Sequence, residues 1–358
     1  MQDGASLPTY RIPNDSAVTC SSKDYVFAGW GTSPTESPLN GKKKDEVAAA
    51  NTSMTGPQRY YALWLTPGSY WLNVANAANP EKGLLKNCTE IAEDMEVLHG
   101  TKAQTSAGKD KAAVEAEYTN YMNGKSADGT TDQEVRLYTK WNGNDAGDGA
   151  NRWVEFRIIQ VGAHDGDGSA VTFMATHSLP TAKQMNSSES NWGGWANSLM
   201  RTDTMTNYVK AGLSGLCKDD ESTGAKTITK VTTSGSYGSW TEGSTTSDQF
   251  WLLSHTEVFG TDGNTLIPTR FKAEGTQYTW FANKGVNAKS GWNTSNSAIA
   301  NINKTRAGGN PDGYSFMSWW LRSPCVDRSS WFGCVGDYGD PDGYYAFMSR
   351  SVVPAFSM

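Results

Sequence analysis

The chain closes on FMSWWLRSPCVDRSSWFGCVGDYGDPDGYYAFMSRSVVPAFSM, Phe316 to Met358. This stretch is dense in aromatics, Gly, Ser, Asp and Cys and is bracketed by the orderly segments WWLRSP and VVPAF. Groups that could do other chemistry are scattered. His99, His164, His177 and His255 stand far apart, with no HExxH pair, nucleophile elbow or Gly-rich phosphate loop. His177 and His255 lie in apolar, strand-like contexts and are expected as core or turn histidines. HDGDG at His164–Gly168 and NDAGDG at Asn144–Gly149 put Asp oxygens at alternating positions, as a hard cation prefers. Neither has the spacing or closing Glu of an EF-hand, so both are expected as polar turns, and no cofactor or metal is assigned.

The bulk numbers narrow the class. At 358 residues and 38.8 kDa the chain exceeds one ordinary core. No apolar run approaches a membrane span, and MQDGASLPTY lacks the basic and apolar regions of a signal peptide. A net charge of -6 argues against a nucleic-acid partner, which would require clustered Lys and Arg; the run Lys42–Lys44 reads as a solvated turn. Five cysteines without a CxxC support neither zinc nor a disulfide framework. Fourteen Trp, 15 Tyr and 37 Gly match many bacterial surface and phage-structure proteins.

The elements needed to position that closing stretch can be read upstream. YVFAGW (Tyr25–Trp30) and QRYYALWL are two strands of a small β module. Leu84, Leu85, Cys88, Ile91, Met95 and Leu98 recur near helical spacing before Gly100, and Lys109–Met122 is a second helix. Arg152–Val161 and Ala170–Thr176 alternate as strands across a Gly/Asp turn. NWGGWANSLMRTDTMTNYVKAGLSGL reads as one or two helices with Trp195, Leu199, Met200 and Met205 on one side, and DQFWLLSHTEVFG as a strand-like run after a Ser/Thr/Gly loop. The expected fold class is α+β, divided as residues 1–68 (β module), 69–129 (helical connector) and 130–358 (C-terminal domain).

Two resemblances follow. YVFAGW and YYALWL resemble the ends of the Listeria–Bacteroides (internalin-type) repeat, a ubiquitin-like β module of bacterial surface proteins. DGDGSAVTFMATH, GGWANSLMR, SDQFWLLSHTEVFG, WWLRSP and the terminal PAF, in that order, resemble the C-type-lectin-fold domain of variable proteins served by diversity-generating retroelements. In that family an error-prone copy of a template rewrites the end of the gene, turning AAY codons into NNY. NNY codons cannot encode Lys, Glu, Gln, Met or Trp. Between Cys325 and Val353 there is no Lys, Glu or Gln, where ordinary usage would place about three or four. Trp331 and Met348 then have to be invariant.

The resemblance implies a variable region at about 325–353 on a fixed aromatic scaffold of Trp319, Trp320, Leu321, Pro324, Val352, Val353 and Phe356, with Arg322 buried and paired. The implied ligand-binding set is Val326, Asp327, Arg328, Ser329, Ser330, Phe332, Cys334, Asp337, Tyr338, Asp340, Pro341, Asp342, Tyr344, Tyr345, Phe347, Ser349 and Arg350. Tyr, Phe and Arg are hot-spot anchors, and Ser and Gly give adaptable hydrogen bonds. Four Asp against two Arg favour a basic or mixed-charge protein ligand. The implied function is non-catalytic recognition of an external protein on a cell, host or phage, by a protein that is extracellular, at a cell surface or on a phage particle. No EPN, QPD or WND tripeptide marks a sugar site. The alternatives are a fixed adhesin or phage tail component of the same fold, and a formylglycine-generating oxidase, to which Cys325 and Cys334 invite comparison although its surrounding pattern is missing.

Overall fold

The computed structural model describes residues 26–34, 59–65, 70–74, 84–141, 153–179, 181–216, 224–300 and 318–358. The Lys42–Lys44 run, the Asn144–Gly149 loop, Cys20 and Cys217 lie outside the described residues. Helices and antiparallel strands both contribute, so the chain is α+β. Among the described residues no helix is long and apolar enough to cross a membrane.

The two N-terminal strand signals pair with each other: β1 (Val26–Gly31) runs antiparallel to β2 (Tyr61–Leu65). The largest sheet is six-stranded and antiparallel. β3 (Tyr70–Val74), β4 (Leu84–Lys86), β5 (Val135–Lys140), β6 (Trp153–Val161) and β7 (Val171–Ala175) join the closing strand Ala355–Ser357. The order across the sheet is Ala355–Ser357, β7, β6, β5, β3, β4. Aromatic and β-branched side chains fit this pleated, buried surface: all five residues of β7 are buried, and Phe356 stacks on Phe173 at 5.2 Å between ring centres.

Two helices cover the sheet. α1 (Cys88–Leu98) starts on a capping box, in which Asn87 accepts from the Glu90 backbone and Glu90 accepts from that of Asn87. α2 (Lys111–Met122) starts on Asp110. Ile91, Met95, Leu98, Val114 and Tyr118 enter the core. The ammonium of Lys86, on β4, reaches Asp94 at 2.5 Å and Glu117 at 3.1 Å, tying strand to both helices. The helical connector expected at 69–129 also holds two strands that extend the sheet; its second helix packs on the sheet, as expected for it, and its first helix does so too. Leu84 and Leu85, read with the helix, belong to β4, because the Asn87 cap fixes the helix start beyond them.

The rest of the fold carries the closing stretch. β8 (Lys183–Gln184) is short. α3 (Gly194–Asn197) leads into a wide-turn π helix, Met200–Val209, which buries Met200 and Met205 but leaves Leu199 at its start exposed. β9 (Ile228–Ser236) and β10 (Ser239–Asp248) form a hairpin where the sequence read as a Ser/Thr/Gly loop. The apolar run DQFWLLSHTEVFG ends in a helix, α4 (His255–Phe259), because Ser254 and Glu257 form a second capping box. α5 (Thr279–Asn283) follows. β11 (Trp319–Pro324), β12 (Trp331–Val335) and β13 (Pro341–Tyr345) make a separate antiparallel sheet; β14 (Ser349–Arg350) pairs with β8, and β15 (Ala355–Ser357) returns to the main sheet.

Candidate binding face

WWLRSP is the floor of the closing stretch. Every residue of β11 is buried, as are Val352, Val353 and Phe356. Arg322 is fully buried. Its guanidinium grips Glu257 of α4 with two bonds of 2.5 and 2.9 Å and donates to the carbonyls of Leu252 and Val231. Lys230 of β9 approaches Glu257 at 3.0 Å and donates to Tyr278 at 2.9 Å. These two cations hold the Glu257 carboxyl near 2 against the opposing effect of burial. Beside them Ser323 donates to Glu274, which also accepts from the Thr233 backbone at 2.6 Å; burial still raises the Glu274 carboxyl. WWLRSP, SHTEVFG and the β9 hairpin thus meet in one polar lock.

The turn HDGDG lies against that lock. Asp167 accepts from the backbones of His164 and Ser169, Asp165 accepts from Thr276, and the His164 ring stacks on Tyr278 at 3.8 Å. Ligand atoms of His164, Asp165 and Glu257 come within 4.8 Å of one another, but Arg322 and Lys230 already engage both oxygens of Glu257.

His255 is fully buried, not in a strand but at the first position of α4, with its ring stacked on Phe271 at 4.2 Å. Burial holds its imidazole near 3. A group whose proton affinity falls on folding destabilises in acid: the unfolded chain takes the proton below about pH 6.5, while the folded chain resists it down to about 3. Denaturant unfolding should therefore lose up to about 1.4 kcal/mol per pH unit below 6.5 through this residue. His164, also lowered by burial, adds in the same direction. His255→Gln, neutral throughout, should flatten the profile; parallel profiles for the two proteins would refute the assignment.

The closing stretch is held chiefly through its main chain. Asn191, 1% exposed, donates from its side-chain amide to the carbonyls of Cys325, Arg328 and Trp331 at 2.8–2.9 Å, and from its backbone to that of Ser329 at 2.9 Å. The Trp240 indole donates to the Val326 carbonyl at 3.2 Å, and the Val326 amide donates to the Arg270 carbonyl. At the other end of β12 the Asn296 side chain donates to the Gly339 carbonyl and its backbone to that of Tyr338. Gly339 has φ +71, and a Cβ there would stand 2.2 Å from the Asn296 carbonyl oxygen, so this turn requires glycine.

Most of the expected ligand-binding set reaches solvent. Arg328, Ser329, Tyr338 and Tyr345 are exposed; Val326, Asp327, Ser330, Asp337, Asp340, Asp342, Tyr344, Phe347, Ser349 and Arg350 are partly exposed. Phe332, Cys334 and Pro341 correct the expectation, being buried. Phe332 and Cys334 lie on β12, the central strand of its sheet, and Pro341 pairs with Val335 at its edge. Cys325 and Cys334 are free thiols, and burial pushes both well above the ordinary thiol range.

The exposed aromatics form a connected array. Trp331 meets Tyr345 edge-on at 5.2 Å, and Tyr345 neighbours Tyr344 and Phe347. The Arg328 guanidinium lies 4.8 Å over Trp331, and that of Arg350 3.6 Å over Tyr344. Asp327 pairs with Arg270. Near the opposite turn Asp337 is raised by burial and then by Asp340; Asp342 is raised chiefly by burial as well, with Asp340 and Asp337 adding to it. The sequence reading missed Asn191, Trp240 and Asn296, whose role depends on long-range contacts. NWGG at Asn191–Gly194, an Asn and a Trp ahead of two glycines, is the one local sign.

A family model described as "Domain of unknown function (DUF6273)" matches residues 170–358. No curated protein and no solved structure matches the chain.

Proposed function

Since the chain belongs to the DUF6273 family, a domain of unknown function, we propose that its C-terminal face is a non-catalytic binding surface for an external protein ligand, with side chains rewritten by a diversity-generating retroelement on a C-type lectin fold. One observation carries the reading: Asn191, Trp240 and Asn296 grip the closing stretch by main-chain carbonyls, which every amino acid supplies. Side chains at 327–330 and 337–338 can then change without losing those supports, and Tyr344, Tyr345, Phe347, Ser349 and Arg350 reach solvent beside them. The absence of Lys, Glu and Gln from Cys325 to Val353 is in keeping with NNY codons, and the two positions outside that set, Trp331 and Met348, are fixed members of the face.

The lectin arrangement is supported by a closing strand that returns beside β7 in a helix-covered sheet and by a second, smaller sheet that carries the face. We read the β1–β2 pair as an internalin-type module, a reading that favours an extracellular or cell-surface protein or a phage particle. The buried, protonated thiols of Cys325 and Cys334 weigh against an oxidase, whose chemistry needs an accessible thiolate. Separating a variable face from a fixed adhesin calls for substitution of the whole set. Two chains carrying different NNY-encoded residues at the exposed positions should unfold within a few degrees of the parent, as surface changes do. Phe332→Asn should cost about 3 kcal/mol or more. Failure of both exposed-set chains to fold would defeat the proposal.

A further inference from the structure

We propose that Trp192 and Tyr237, outside the closing stretch, form a fixed aromatic rim to this face and that the rim's occupant is a protein surface offering an apolar side chain beside a carboxylate; the inference rests on the function proposed above. Among the described residues these are the most exposed large apolar side chains outside that stretch, at 67% and 62%. Both stand on loops bonded to the variable segment or to each other. Trp192 follows the Asn191 clamp and precedes Gly193, whose N–H donates to the Gly235 carbonyl at 2.7 Å. Tyr237 occupies the two-residue turn between the paired Ser236 and Ser239, three residues before Trp240, which donates to Val326.

The backbone under the rim is fixed. Gly194 has φ +62, and a Cβ there would stand 2.1 Å from the Thr233 carbonyl oxygen; Gly235 has φ +120 with the Ser239 carbonyl oxygen at 2.2 Å. These glycines and the Gly193–Gly235 bond set the course of both loops, from which the two rings stand exposed. Aromatic side chains have only two rotatable bonds, so exposed Trp and Tyr on a fixed backbone are low-entropy anchors of protein interfaces.

Charge selects the occupant. Beside the rim Asp327 is paired with Arg270 and Lys272 with Glu242, whereas Arg328 is exposed and has no carboxylate partner among the described residues. The far end of β12 carries Asp337 and Asp340. A neutral sugar could stack on the rings but leaves Arg328 unanswered, and an anionic glycan would be repelled by those carboxylates. A protein surface supplies both signs. The rim gives successive variants a constant apolar contact, while Arg328, a rewritten position, sets the carboxylate preference of this chain.

The test selects phage-displayed random 12-residue peptides on the full chain. Each enriched peptide is then titrated against the parent, Trp192→Ala, Tyr237→Ala, and a chain with Ser at the exposed closing-stretch positions. Both aromatic variants should bind at least roughly tenfold more weakly, with unfolding midpoints within about 2 °C of the parent. Enriched peptides should carry Asp or Glu next to an apolar residue. Unchanged affinity for both aromatic variants, with binding lost on the Ser-substituted chain, overturns the rim and leaves the variable face standing. Unchanged binding to the Ser-substituted chain defeats the face itself. No enriched peptide, or a Trp192-dependent neutral oligosaccharide on a glycan array, overturns the choice of a protein occupant.

Discussion

Glu257→Gln should cost about 3–5 kcal/mol of stability, the range for breaking a buried ion pair from one side. The amide keeps the shape but cannot answer the Arg322 guanidinium and the Lys230 ammonium, which are 0% and 2% exposed. Urea unfolding of the parent and the variant measures the difference. Arg322→Met combined with Glu257→Leu should be less damaging than the sum of the single changes, because no uncompensated guanidinium is left behind. The pH dependence has a definite sign. The Glu257 carboxyl is lowered on folding from 4.5 to about 2, so its stabilisation is complete above about pH 4.5 and is lost as pH falls toward 2. Glu274, raised by burial, works the other way, its contribution fading as pH rises. A cost below about 1 kcal/mol for Glu257→Gln would mean that the network is not what holds β11 to α4.

Asn191→Ala should be the most damaging small change in the loops around the face, at about 2–4 kcal/mol. Two amide hydrogens shared among three carbonyls are lost at a site 1% exposed, and acceptors left unpaired there pay the desolvation cost in full. Asn191→Asp is the sharper case: it matches the volume but turns donors into carboxylate oxygens facing three carbonyls. It should be worse than Ala, and a simple space-filling role for Asn191 would give the opposite order. Hydrogen exchange should show the 326–331 segment losing protection first in either variant.

The sequence disclosed what local rules control. The apolar spacing of α1, the charged start and Asn-Gly end of α2 and the Gly/Asp turn between β6 and β7 are local signals, whereas the buried WWLRSP scaffold and the pairing of Arg322 are implied by the family resemblance. It concealed what depends on distant partners. β3 and β4 read as parts of a connector because five-residue and three-residue strands carry almost no periodic signal until a sheet collects them. The β9–β10 hairpin was hidden by its Ser and Thr content. Phe332 and Cys334 belong to the surface set only through the resemblance, because the Gly, Asp and Tyr around them carry no alternation that marks which side chains of β12, a central strand, turn inward. The face was legible as residue types; the clamps beneath it were not, since a bond from Asn191 to Trp331 spans 140 positions.

The most direct measurement is deep sequencing of the 3′ end of the gene and its flanking repeats across a growing population and related isolates. The account predicts substitutions at adenine-templated codons of the outward positions between Val326 and Arg350, with Asn191, Trp192, Tyr237, Asn296, Phe332, Cys334 and Gly339 unchanged. Changes spread evenly along residues 170–358, or an invariant closing stretch with no partner repeat, would contradict it.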